Sequence, residues 1–145
     1  MDKKTIEQVI AEQGKYVCTT SGVSMWPLFA DRRDTVIILP VDGRLKKYDV
    51  PLYRRGEEYV LHRIVKVLPE SYVICGDNCE NYEYGILDCD IIGYLRAFYR
   101  KDKYYTVDNF FYKLYSRFIV HTFSIRIFIK KTRRFLARIY RKIFK

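Results

Sequence analysis

Between Tyr16 and Tyr99 the sequence runs as short apolar stretches cut by Gly, Pro, Asp and Asn, with no long helical pattern between them. The stretches are Tyr16–Cys18, Thr35–Leu39, Val50–Tyr53, Tyr59–Val67, Tyr72–Cys75 and Ile91–Tyr99. Runs of this length, rich in aromatic and β-branched residues, read as strands. Without intervening helices they do not build βαβ units, so a compact, mostly antiparallel sheet or barrel is expected. Ahead of them Ile6, Val9 and Ile10 recur at helical spacing within Lys3 to Gln13, and Gly14 follows as a stop. The expected fold is therefore mainly β (α+β), with a short N-terminal helix packed on the body.

The charge distribution divides the chain. Residues 1–102 carry 15 Lys and Arg against 16 Asp and Glu, whereas residues 103–145 carry 12 against 1, so a body of −1 precedes a tail of +11. The change falls at Arg100–Asp102 and gives two expected units, a domain over 1–102 and a basic, aromatic-rich tail over 103–145. Within the tail Lys113, Arg117 and Arg126 interrupt the apolar run Asn109–Ile129, which argues against a spanning helix. From Lys130 to Lys145 the apolar residues Phe135, Leu136, Ile139, Tyr140, Ile143 and Phe144 alternate with cations at spacings of three and four. That pattern is a basic amphipathic helix, suited to an anionic membrane surface met through residues 110–145. Nucleic acid is the weaker alternative, because an apolar stripe has no role against phosphates. A helix packed on its own body or on a second copy is the third.

The N-terminus begins with charged residues and has no apolar core of a signal or anchor, so the body is expected in the cytoplasm, peripheral to the membrane. The four cysteines, Cys18, Cys75, Cys79 and Cys89, form no C-x-x-C pair and have no neighbouring His in sequence. They read as structural thiols, with no metal or cofactor expected.

Three stretches carry residues capable of chemistry. In Thr20-Ser-Gly-Val-Ser-Met-Trp-Pro-Leu-Phe29 a serine sits in a Gly-containing turn, where Ser24 can lift its oxygen clear and keep its own N–H free for an oxyanion. In Tyr59-Val-Leu-His-Arg-Ile-Val-Lys-Val67 strand alternation puts Val60, His62 and Ile64 on one face. The run Tyr72-Val-Ile-Cys ends in Gly76-Asp-Asn78, where a loop can aim Asp77 at the imidazole. A polar turn, a structural histidine and an ordinary strand end are the bland readings of the three taken singly.

Together and in this order they resemble the serine peptidases that include the type I signal peptidases and the self-cleaving LexA-type repressors. Ser21-Gly-Val-Ser-Met-Trp-Pro27 is similar to the family's nucleophile segment, Tyr48-Asp-Val50 to its next block, His62-Arg-Ile64 to its base-bearing strand, and Gly76-Asp-Asn78 to its Gly-Asp-Asn block. Ile91-Ile-Gly-Tyr94 is similar to its final core strand, so the resemblance spans roughly Tyr16 to Tyr99. It implies a Ser–His endopeptidase of a peptide or protein substrate, as in the archaeal and endoplasmic-reticulum branch. Ser24 would be nucleophile, His62 general base and Asp77 the orienting acid, with Glu80, Glu83 or Asp88 as other candidates for that third place. Gly22 stands where some relatives carry a second oxyanion donor, and Met25, Trp26 and Pro27 are candidates to line the cleft. The alternative is a peptidase-like regulatory or binding module, non-catalytic or self-cleaving, that engages membrane or nucleic acid.

Overall fold

The computed structural model describes residues 4–144 and is an α+β fold of three helices and two antiparallel sheets, one of them curled into a half-barrel. Helix α1, Ile6–Gln13, opens with a reciprocal cap between Thr5 and Gln8 and closes at Gly14, whose φ of 71° lies in the left-handed region. Lys3, where the sequence pattern starts the helix, and Lys145, where it ends the tail, lie outside the described residues.

The larger sheet holds β1 (Tyr16–Thr19), β2 (Thr35–Leu39), β3 (Pro51–Arg55), β4 (Glu58–Leu61), β8 (Ile91–Arg100) and β9 (Lys103–Thr106). The long strand β8 is its spine: it pairs with β2 along Tyr94–Tyr99, with β3 at its start and with β9 at its end. The smaller sheet is β5 (Arg63–Val67), β6 (Tyr72–Cys75) and β7 (Glu83–Ile86), in that order. The expected single strand Tyr59–Val67 is thus two strands of different sheets, and the chain crosses between them at His62. The alternation expected there is broken, because Arg63 is buried along with His62 and Ile64. The buried apolar residues form two clusters, the second lying between the smaller sheet and strands β3 and β4 of the larger one. Ile10, Met25, Phe29, Ile38, Leu95 and Phe98 pack in one, and Tyr53, Val60, Ile64, Tyr72 and Ile74 in the other.

The break in composition near Asp102 is not a break in packing. β9 completes the larger sheet, and helix α2, Phe110–His121, buries Tyr112, Ser116 and Ile119 on the body. Arg63, fully buried, makes a two-pronged ion pair with Asp77, Nε to Oδ1 at 2.8 Å and Nη2 to Oδ2 at 2.9 Å. Its remaining nitrogen donates to Ser116 Oγ at 2.8 Å, and Tyr115 donates its hydroxyl to Asp77 Oδ2 at 2.9 Å. The cluster ties α2 to β5 and to the loop after β6, and no buried side-chain polar atom among the described residues lacks a partner.

Helix α3, Phe123–Ile143, follows with the basic amphipathic pattern expected, but it is turned inside out. The side facing the body holds Phe123, Arg126, Ile127, Lys130 and Arg134. Its apolar stripe, Ile125, Phe128, Ile129, Leu136, Ile139 and Ile143, is exposed. A helix of a globular protein ordinarily does the reverse. No described helix is long and apolar enough to cross a membrane.

Candidate active site

His62 lies at the crossing between the sheets and is only 5% exposed. Its Nδ1 is 3.0 Å from Glu83 Oε1 on β7 and 3.2 Å from the Tyr53 hydroxyl on β3. A carboxylate at Nδ1 places the ring proton there and leaves the Nε2 lone pair free to take another. Burial lowers the His62 pKa below its ordinary value, while Glu83 opposes that and Arg55 adds to it. The imidazole is therefore neutral near pH 7, which is the state a general base requires. Burial first, and the neighbouring Glu83 second, push the Tyr53 phenol up, so it stays protonated beside the ring. Arg55 Nη1 holds the same Glu83 oxygen at 3.1 Å from the outer side.

Ser24 lies in the turn after β1, anchored by buried Met25, Leu28 and Phe29. Its carbonyl accepts from the Asn78 N–H at 2.8 Å, while its own N–H donates to no acceptor among the described residues and is free to hold an oxyanion. Ser24 and His62 line one cleft of about 680 Å³, together with Gly22, Met25 and Cys79. No hydrogen bond joins Ser24 Oγ to the imidazole. Cys79 Sγ stands 4.0 Å from Nε2, and burial raises its thiol pKa, which keeps it protonated and a poor nucleophile.

Gly76 permits this convergence. A Cβ at that position would come within 2.6 Å of Cys79 Sγ, 2.7 Å of the Ser24 carbonyl oxygen and 3.0 Å of His62 Cδ2. The turn of Ser24, the ring of His62 and the loop after β6 close on one another only because residue 76 has no side chain.

Several residues stand elsewhere than expected. Asp77 does not orient His62: its two oxygens are committed to Arg63 and Tyr115, and the contact with Nδ1 belongs to Glu83. Of the other carboxylates, Glu80 pairs with Arg134 and Asp88 accepts from the Tyr72 hydroxyl. Gly22 and Met25 line the cleft, but Pro27 does not. The Gly22 N–H is engaged by Asp31 Oδ1 at 2.7 Å, so it is not a second oxyanion donor. Tyr53 and Cys79 escaped the sequence reading, since Tyr53 looked like an ordinary strand residue and Cys79 like a structural thiol. No group of three or more His, Cys, Asp or Glu side chains converges as a metal site among the described residues.

Comparison of the chain with family models, with curated proteins and with solved structures gives no match.

Proposed function

We propose that the chain is a serine endopeptidase that cleaves a leader or signal-like peptide, with Ser24 as nucleophile and His62 as general base. The observation that carries this is the buried His62, held at Nδ1 by Glu83 and sharing a cleft with a serine whose own N–H has no acceptor among the described residues. Ser24 Oγ would attack the scissile carbonyl as His62 Nε2 takes its proton, and the Ser24 N–H would hold the oxyanion. The imidazolium, stabilised by Glu83, would return that proton to the leaving amine, and water would release the acyl group. The order of the Ser24, His62 and Gly76-Asp-Asn78 segments, similar to that of the signal-peptidase and LexA-type peptidases, supports the same reading. Catalytic hydrogen bonds commonly tighten only when substrate binds.

The exposed apolar stripe of α3, flanked by Lys131, Arg133, Arg138 and Lys142, supports a place on an anionic leaflet. The same flanks would repel a second copy packed face to face, and phosphates would leave the stripe unsatisfied.

The test is covalent labelling of the full chain by a fluorophosphonate, read by intact mass. Labelling that is lost in both Ser24→Ala and His62→Ala supports the peptidase. A wild type that does not label, but binds peptides, would establish the non-catalytic module instead.

A further inference from the structure

Asn78 is tied down at four atoms. Its N–H donates to the Ser24 carbonyl at 2.8 Å, and its Nδ2 donates to the Val23 carbonyl at 3.1 Å. Lys130 Nζ, from α3, donates to the Asn78 carbonyl at 3.1 Å and to Oδ1 at 2.8 Å. One turn earlier Arg126 donates from Nη1 to the Asp77 carbonyl at 2.7 Å and from Nη2 to the Ile119 carbonyl at 2.8 Å.

The two carbonyls that Asn78 holds belong to the two peptide units flanking the Ser24 Cα. The Val23 carbonyl shares its planar unit with the Ser24 N–H, so a donor on that oxygen fixes where the N–H points and polarises it. The bond to the Ser24 carbonyl fixes the other plane, and the two together set the direction of the Cα–Cβ bond from which Oγ projects. Within the turn the Val23 carbonyl also accepts from the Trp26 N–H at 3.1 Å, and buried Met25 anchors the stretch beyond Ser24, but Val23 and Trp26 are both more than half exposed, so Asn78 supplies the hydrogen bonds that reach these two carbonyls from outside the turn. Lysine is a donor only, so its contact with Oδ1 obliges the amide to turn its NH₂ to Val23.

We infer that Asn78 and Lys130 are positioning residues for the nucleophile, so that α3, a helix outside both sheets, is part of the active-site scaffold. This rests on Ser24 being the nucleophile. The helix that turns its apolar stripe outward thus holds the reacting serine from its inner side.

The experiment compares the full chain with Lys130→Met, Lys130→Arg, Asn78→Asp and, as a control at an exposed lysine of β5, Lys66→Met. Two quantities are read: the saturating rate of fluorophosphonate labelling with its half-saturating concentration, and the hydrogen exchange of the Asn78 amide without probe. The expected result is a labelling rate lower by about tenfold or more in Lys130→Met and Asn78→Asp, since removing an oxyanion donor outright costs about 10²–10³. Half-saturation should change less than twofold, Lys130→Arg should recover most of the rate, and Lys66→Met should match the wild type. Exchange at Asn78 should rise in Lys130→Met. Wild-type labelling and exchange in Lys130→Met would overturn the inference. A wild type that does not label removes the peptidase reading alone, and the exchange measurement still decides whether Lys130 holds the Ser24 turn.

Discussion

Glu83 reaches His62 from the far strand of the smaller sheet, with Oε1 3.0 Å from Nδ1, while Asp77, next to the Asn78 that holds Ser24, is bound to Arg63 instead. The two carboxylates therefore do different work. Glu83→Gln keeps the size of the side chain but can turn a donor to Nδ1, which favours the wrong tautomer. Turnover or labelling is expected to fall roughly 10²–10⁴-fold with the melting temperature little changed. Asp77→Asn leaves buried Arg63 short of its countercharge and should cost about 3–5 kcal/mol of stability in chemical denaturation. If Asp77→Asn left stability intact and abolished labelling, Asp77 would be the orienting acid after all.

The pH dependence follows from the sign of the His62 shift. The folded pKa lies below the ordinary value of 6.5, because burial opposes the charged ring. Labelling should rise with pH along an acid limb whose midpoint is below 6.5 and level off above it. For stability, the unfolded chain takes up the proton first as pH falls, so the contribution is complete above about 6.5 and is lost on descending through the folded pKa. An acid limb centred clearly above 6.5 would rule out a buried, neutral His62 as the base.

Gly76→Ala tests the closure of the cleft. The added methyl would meet the Ser24 carbonyl, Cys79 and the His62 ring at 3.0 Å or less, so the turn of Ser24 must move away from His62. The expected outcome is loss of labelling with a stability cost of about 1–3 kcal/mol. Full labelling in this variant would show that Ser24 and His62 need no contact through this loop.

Membrane docking is read by co-sedimentation with vesicles. The chain is expected on vesicles rich in anionic lipid, weakly on neutral ones, and progressively less as salt rises, with each flanking cation contributing about 1 kcal/mol. Phe128→Ser with Ile139→Ser should release it without altering labelling in solution. A chain that ignores vesicles and sediments as a dimer would assign the stripe to a second copy.

Much of the strand framework was legible because each strand is short, apolar and bounded by turn residues, as Thr35–Leu39 and Tyr72–Cys75 show by coinciding with β2 and β6. Strands β7 and β9 were not, since Glu83-Tyr-Gly-Ile86 and Lys103-Tyr-Tyr-Thr106 carry little apolar pattern and are strands only because β6 and β8 offer them edges to pair with.

The alternation of strands and turns, the amphipathic α1 and α3, and the segments that carry Ser24 and His62 can all be read from the chain alone. These are properties of neighbouring residues, written in local spacing and in turn chemistry. Three-dimensional packing sets the rest: Glu83 meets His62, Asp77 is spent on Arg63, Gly76 lets the cleft close, and α3 docks by its cations with its apolar face outward. Those outcomes depend on which strand ends and loops come together across the two sheets. A side chain's partner 14 to 53 residues away, as for Arg63 with Asp77 and Ser116, leaves no periodic trace in the chain.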